Sequence, residues 1–229
     1  MNHLNRLFCS SLLVSALFAL VPSAAWASSD SQVWTTAGAT VKLADHWRFS
    51  QDIVGRFSDN RNGLYEIETS TLLGYRIAKK VTIWAGYVHQ PLYSNGDHTT
   101  TEHRAREQVA FDNIAKIGSG TLSARMRVET RWRDGVDGTG WRLRPYVKYS
   151  LPLKGKVALN LSNETFFDLN QTSFQGTKGF DRMRNLITIS APIAKHLTGE
   201  IGYMNQYAFV RNGDDTSDNI AYFSINLSV

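Results

Sequence analysis

Two stretches of this chain concentrate side chains able to grip anions. In Thr121 to Arg133, Arg125, Arg127, Arg131 and Arg133 fall on alternate positions with Glu129, and in residues 141 to 151 the alternate positions hold Arg142, Arg144 and Lys148. Arg104 and Arg106 repeat the spacing upstream. A guanidinium binds carboxylate or phosphate through two parallel hydrogen bonds, so arginines aligned on one face form an anion-attracting surface. The wall set read from this spacing is Arg104, Arg106, Arg125, Arg127, Arg131, Arg142, Arg144 and Lys148.

Other chemistry has weaker support. His89 precedes Ser94-Asn95-Gly96 by five positions, which puts His and Ser on opposite faces of an extended strand, and Ser-Asn-Gly is an ordinary turn signal. No catalytic residue is assigned. His98 and His103 have no further His or Cys nearby to complete a metal site, so no metal and no cofactor is expected. Tyr87, Tyr203 and Trp84 read as packing residues.

The arginine spacing has period two, and so does most of the chain. Leu122, Ala124, Met126, Val128, Thr130 and Trp132 oppose the arginines of their segment, while Trp141, Leu143, Val147, Tyr149 and Leu151 oppose those of theirs. A helix would scatter both sets around its circumference. Extending the reading gives eleven strands, near 31–43, 47–57, 64–77, 81–92, 102–116, 121–133, 141–151, 156–167, 179–190, 197–210 and 219–229. Tight turns at 44–46, 78–80 and 117–120 alternate with longer polar connections at 58–63, 93–101, 134–140, 168–178 and 211–218. Gly86-Tyr87-Val88-His89-Gln90 and Gly202-Tyr203-Met204-Asn205-Gln206 look like two copies of one hairpin template.

Alternation does not say whether the apolar face meets lipid or a soluble core. Strand length, aromatics at strand ends (Trp47, Trp132, Trp141, Phe166, Phe167, Tyr207, Phe209) and a chain ending within an alternating strand favour lipid. The expectation is an all-β, antiparallel up-and-down transmembrane barrel of about 10–12 strands over residues 28–229. Single-chain bacterial barrels have even strand numbers, so ten strands from 47 to 229 are expected, with 31–43 as an extra strand or lumenal segment, or twelve if one is missed.

Residues 1–27 read as a secretory signal: Arg6, a largely apolar Leu7–Val21, and the small-x-small site Ala25-Trp26-Ala27. Its removal takes away Cys9, the chain's single cysteine, and leaves 24 basic against 20 acidic residues, a net charge of +4. Thiolate chemistry and disulfides are thereby excluded from the mature chain.

With the polar faces inward, Arg48, Arg56, Arg76, Arg133, Arg182 and Arg184 join the wall set, making fourteen basic residues. Against them stand seven acidic ones, Asp52, Glu66, Glu68, Asp112, Glu129, Glu164 and Glu200, for a lumen near +7. An arginine facing lipid at mid-bilayer costs about 2–4 kcal/mol, which forces these side chains inside. The lumen then either conducts or binds small anions, acidic oligosaccharides included, or is plugged by its own ion pairs. The runners-up are a non-conducting envelope barrel and, third, a lipid-directed hydrolase. Expected partners are outer-membrane lipid, the barrel-assembly machinery and small anionic solutes. Nucleic acid is not expected, because the charge is inside and the compartment is wrong.

The signal, the Gln32-Val33-Trp34 strand, Trp47-Arg48-Phe49 closing on Arg56, the Gly-Tyr hairpins and the arginine-rich central strands resemble the bacterial outer-membrane proteins grouped as domain of unknown function 2490. The resemblance spans the mature chain, implies a barrel in the outer membrane of a Gram-negative bacterium, and carries no catalytic residues. A looser likeness, of architecture and charge, is to oligogalacturonate-specific porins. One departure is the final Ile225-Asn226-Leu227-Ser228-Val229, where outer-membrane barrels commonly end on an aromatic residue.

Overall fold

The computed structural model describes residues 28–176, 178–211 and 213–229. The expected signal segment, Cys9 included, lies outside the described residues. The strands are β1 (Ser28–Lys42), β2 (Trp47–Ser58), β3 (Gly63–Ala78), β4 (Val81–Ser94), β5 (Asp97–Ile117), β6 (Gly120–Arg133), β7 (Val136–Pro152), β8 (Ala158–Asp168), β9 (Gly179–Ala194), β10 (Leu197–Ala208) and β11 (Thr216–Ser228). They form one closed barrel in which each strand pairs antiparallel with the next, and β1 closes the wall against β11.

That closure corrects the even-number expectation. Eleven described strands make the first and last run the same way, so β1 and β11 pair in parallel from Ser28↔Thr216 to Thr40↔Ser228. The segment expected as an extra strand or lumenal piece is part of the wall, registered on its other side with β2 from Gln32↔Ser58 to Lys42↔Arg48. Backbone bonds Lys42 N→Val229 O (2.7 Å) and Val229 N→Thr40 O (3.0 Å) fasten the lower end of the seam.

Two expected long loops are also corrected. Residues 93–101 are mostly ladder, with Asn95 and Gly96 at φ 52° and 89° forming the two-residue turn whose mirror-image twist suits a hairpin. Residues 134–140 shrink likewise to a turn at Asp134-Gly135 (Gly135 φ 71°). The long connections that remain, 169–178 and 209–215, stand on the same rim, called upper here. The lower rim carries the turns after β1, β3, β5, β7 and β9.

The faces follow the alternation. Ile83, Tyr87, Met126, Trp132, Ile187, Ile189, Ile201, Phe223 and Ile225 stand exposed outside and give the barrel an apolar outer face. Trp47 packs on Tyr75 at the lower rim, and Phe167, Phe180, Phe209 and Tyr207 pack together at the upper one. Phe166, expected in that girdle, instead points inward at 1% exposure. The repeated hairpin is real: Gly86 and Gly202 lie inside so close to the preceding strand that a Cβ would meet Thr71 O or Ile187 O at 2.0 Å. The adjoining tyrosines point outward and bond across to the next strand, Tyr87 to His103 and Tyr203 to Asn219. Trp34, Met204 and Ile220 fill one side of the lumen as a small apolar core.

Candidate functional site

Period two puts Glu102, Arg104, Arg106 and Gln108 of β5, Arg125 to Arg133 at odd positions of β6, and Arg142, Arg144 and Lys148 of β7 on the inner wall. Register then decides who meets whom. Arg106 stands opposite Glu129, Arg104 opposite Arg131, and Arg127 opposite Arg144.

At the centre is Glu129, fully buried, with Arg106 Nη2 and Arg144 Nη1 each 2.8 Å from its Oε1 and Arg104 Nη1 at 3.8 Å. From it a chain of ion pairs runs both ways around the lumen. In one direction Arg106 reaches Glu68 (2.8 Å), which binds Arg56 of β2 (3.1 Å), itself also paired with Glu66. In the other, Arg144 reaches Glu164 of β8 (2.9 Å), which also binds Arg125 and lies 4.0 Å from Arg184 of β9. The guanidiniums of Arg56 and Arg184 both lie over the ring of Trp34, at 4.2 and 4.6 Å, and complete the circuit. Arg184 is further held by Gln206 of β10 at 2.8 Å.

A second node lies above it. Glu102, 1% exposed, accepts from Arg104 Nε (2.7 Å), Arg131 Nε (2.9 Å) and Arg133 Nη2 (2.8 Å), while Arg142 binds Asp168 (2.8 Å) and Asp181 (3.6 Å). The β8–β9 loop closes over this node through Gln175. Its Oε1 accepts from Arg131 at 2.8 Å, and its Nε2 donates to the carbonyls of Asn170 (2.8 Å) and Trp141 (3.1 Å). Phe174 beside it stacks on Arg131 and Arg133. Between loop and belt remains a vestibule of about 230 Å³, walled by nine arginines and five carboxylates.

All eight wall residues therefore lie on the inner face, though in different surroundings. Arg104, Arg106, Arg125 and Arg144 belong to the belt, and Arg131 and Arg142 to the upper node. Arg127 bonds Gln108 at 2.8 Å and has no carboxylate within 4.0 Å among the described residues. Lys148 stands apart with Glu200 at 3.4 Å. The lumen charge of +7 is corrected downward, because Glu102, Asp168 and Asp181 also face inward and Asp112 is exposed at the lower rim. The alternation that placed Arg104 and Arg106 inside places Glu102 there too. Asp168, Asp181 and Gln175 sit at strand ends and in a loop, where period two gives no face.

Residues 31–217 match the family described as Protein of unknown function (DUF2490). The chain belongs to the DUF2490 family. An uncharacterised protein of Methylorubrum extorquens is 28% identical over 224 residues, covering 95% of this chain and 96% of its own length. Among solved structures, the NanC porin shares the fold with a TM-score of 0.53 at 13% identity, over 83% of this chain and 94% of that one. The DUF2490 chain is thus a porin-like barrel. Its belt keeps spare hydrogen-bonding capacity: Nε of Arg56, Arg125 and Arg144 and Oε2 of Glu129 are buried without a partner among the described residues. His89 points outward beside His103, which is engaged by Asp134 (3.1 Å), while His98 bonds Thr101 (3.0 Å).

Proposed function

We propose that the protein is an outer-membrane barrel whose upper vestibule gathers small acidic solutes and whose Arg–Glu belt is the constriction they pass. The vestibule's nine arginines against five carboxylates carry this reading. An excess of fixed cations in a confined, low-dielectric mouth raises the local anion concentration. At the belt, buried guanidinium N–H groups without partners offer a passing carboxylate transient bonds in place of its hydration shell. Arginine forks suit planar carboxylates, acidic oligosaccharides among them. The outward apolar band and aromatic rims support residence in the outer membrane. Among the described residues no set is arranged for a reaction, and we read the protein as a non-enzyme.

The continuity of the belt favours a second reading, a barrel plugged by its own ion pairs that serves the envelope structurally. Reconstitution of the mature protein in planar bilayers separates the two. Discrete conductance steps are expected from a constriction and none from a plug. Turnover of phospholipid or lipid A by the same preparation, abolished by His89→Ala, would overturn the non-enzyme reading.

A further inference from the structure

The outer face carries polar residues that the lumen does not use. Glu107 of β5 points outward and is exposed, with Ala85 and Val128 directly across and Ala105 and Val109 as its outward neighbours along the strand. It forms no ion pair or hydrogen bond among the described residues. A carboxylate set against hydrocarbon is costly, and such residues mark contacts that serve a purpose.

A second interruption lies on β8 and β9. Asn163 and Asn185 face each other, Asn163 Nδ2 donates to Asn185 Oδ1 at 2.7 Å, and Asn163 Oδ1 accepts from Thr165 at 3.0 Å. The Asn185 amide N–H groups are left without an acceptor among the described residues. Val147, Leu161 and Ile187 border the pair, and Asn205 of β10 stands across from Asn185.

Both interruptions lie at one height. A registered row runs from Val81 at the lower end of β4 through Phe111, Ala124, Val147, Asn163, Asn185, Asn205 and Asn219 to Ser31 near the upper end of β1. One circuit of the barrel thus climbs the 16 residues of β3, about three residues for every two strands. Glu107 stands four residues above this row on β5, and Asn163 lies in the row three strands further up the spiral. The two positions are therefore level.

We propose that Glu107 of one copy of this chain accepts hydrogen bonds from the Asn185 amide of a second copy, so that barrels associate side by side in the membrane. A carboxylate that only accepts is complementary to an amide with free donors, whereas two Glu107 side chains repel and cannot meet across a two-fold axis. Ala85 and Ala105 leave room beside Glu107 for the partner's wall. Asn163 is level with Glu107 and Asn185, one strand further along the same row, stands about two residues higher, so parallel barrels meet with only a small vertical offset. The two patches lie on different faces, so the contact is heterologous. The inference rests on the membrane reading above.

Cysteine cross-linking tests it cleanly, because Cys9 in the signal segment is the only cysteine in the sequence. Val109→Cys and Leu161→Cys flank the two patches on their lower side. Within one barrel they are three strands apart, on the order of 14 Å, beyond the roughly 7 Å limit for a disulfide, so any bond joins two copies. The full chain carrying both substitutions is expressed, outer membranes are isolated, and oxidised samples are run on non-reducing gels. The result expected is a ladder of multimers from the double variant, none from either single variant, and loss of the ladder when Glu107→Ala is added. No ladder, a ladder from one cysteine alone, or a ladder indifferent to Glu107→Ala would overturn the proposal, the last two pointing to collision or to lipid as what covers these patches. Outer-membrane recovery and a heat-dependent gel shift of each variant test the membrane reading separately.

Discussion

Glu129→Gln removes one negative charge from the centre of the belt while keeping the side chain's size and an accepting oxygen. The wild-type carboxylate holds two guanidinium nitrogens at 2.8 Å and a third at 3.8 Å, all with negligible solvent exposure. Unit charges about 4 Å apart attract by roughly 4 kcal/mol at an effective dielectric constant near 20. Losing two such contacts is offset in part by no longer having to bury the carboxylate. It is also offset because Arg106 keeps Glu68 and Arg144 keeps Glu164. Removing one partner of a buried pair typically costs about 3–5 kcal/mol, and that range is expected here. Glu200→Gln is the internal reference: its contact is a single 3.4 Å approach to the partly exposed Lys148, worth about 1 kcal/mol or less. Urea unfolding of both variants in detergent micelles, followed by tryptophan fluorescence, measures the difference. Equal losses for the two variants, or a Glu129→Gln barrel within about 1 kcal/mol of wild type, would refute the view that the belt is held by its central carboxylate.

Four other outcomes are expected. Val128→Arg turns a cation into lipid and should cost about 2–4 kcal/mol, seen as loss of the heat-modifiable folded band; normal assembly would mean the faces are reversed. Gly202→Ala forces a Cβ onto the Ile187 carbonyl at 2.0 Å and should destabilise the barrel by about 1–3 kcal/mol or more in the same urea assay, whereas Gly176→Ala, with open space around it, should not. Gln175→Ala releases the β8–β9 loop from Arg131 and the Asn170 and Trp141 carbonyls, yet single-channel current should stay near the wild-type value because the belt below is the constriction; a raised current would place the narrowest point at the loop instead. Arg127→Glu should fold, since among the described residues no carboxylate lies within 4.0 Å of Arg127, whereas Arg144→Glu sets a third carboxylate against Glu129 and Glu164 and should yield little folded protein.

Strands β6 and β7 are legible because charge and apolarity alternate there without a break, and each arginine's face follows from the cost of the opposite choice. The β1–β11 seam was not, since parity argues for an even barrel and nothing local in Ser28–Lys42 distinguishes a wall strand from a lumenal one. The hairpins at Asn95-Gly96 and Asp134-Gly135 read as long loops in the sequence because their polar flanks rise above the apolar band, where alternation no longer has two solvents to report. Glu102 shows a different limit: it stands where the apolar alternation of its strand begins, and only the parity of Arg104 and Arg106 assigns it inward. Glu107, Asn163 and Asn185 are single polar positions on otherwise apolar outer faces, and a period-two pattern assigns such positions a face but no partner. The Gln175 latch depends on a loop crossing the mouth, which period two does not encode.

The central claim is that fixed positive charge in the vestibule and belt selects anions at a constriction. Reversal potential across a planar bilayer under a salt gradient tests it most directly, using the reconstituted mature protein beside Arg127→Glu. Wild-type channels should reverse toward the chloride equilibrium potential, the preference should weaken as salt screens the fixed charge, and Arg127→Glu should shift the reversal toward cations. A cation-selective wild type, or a conducting Arg127→Glu with wild-type selectivity, would contradict the account.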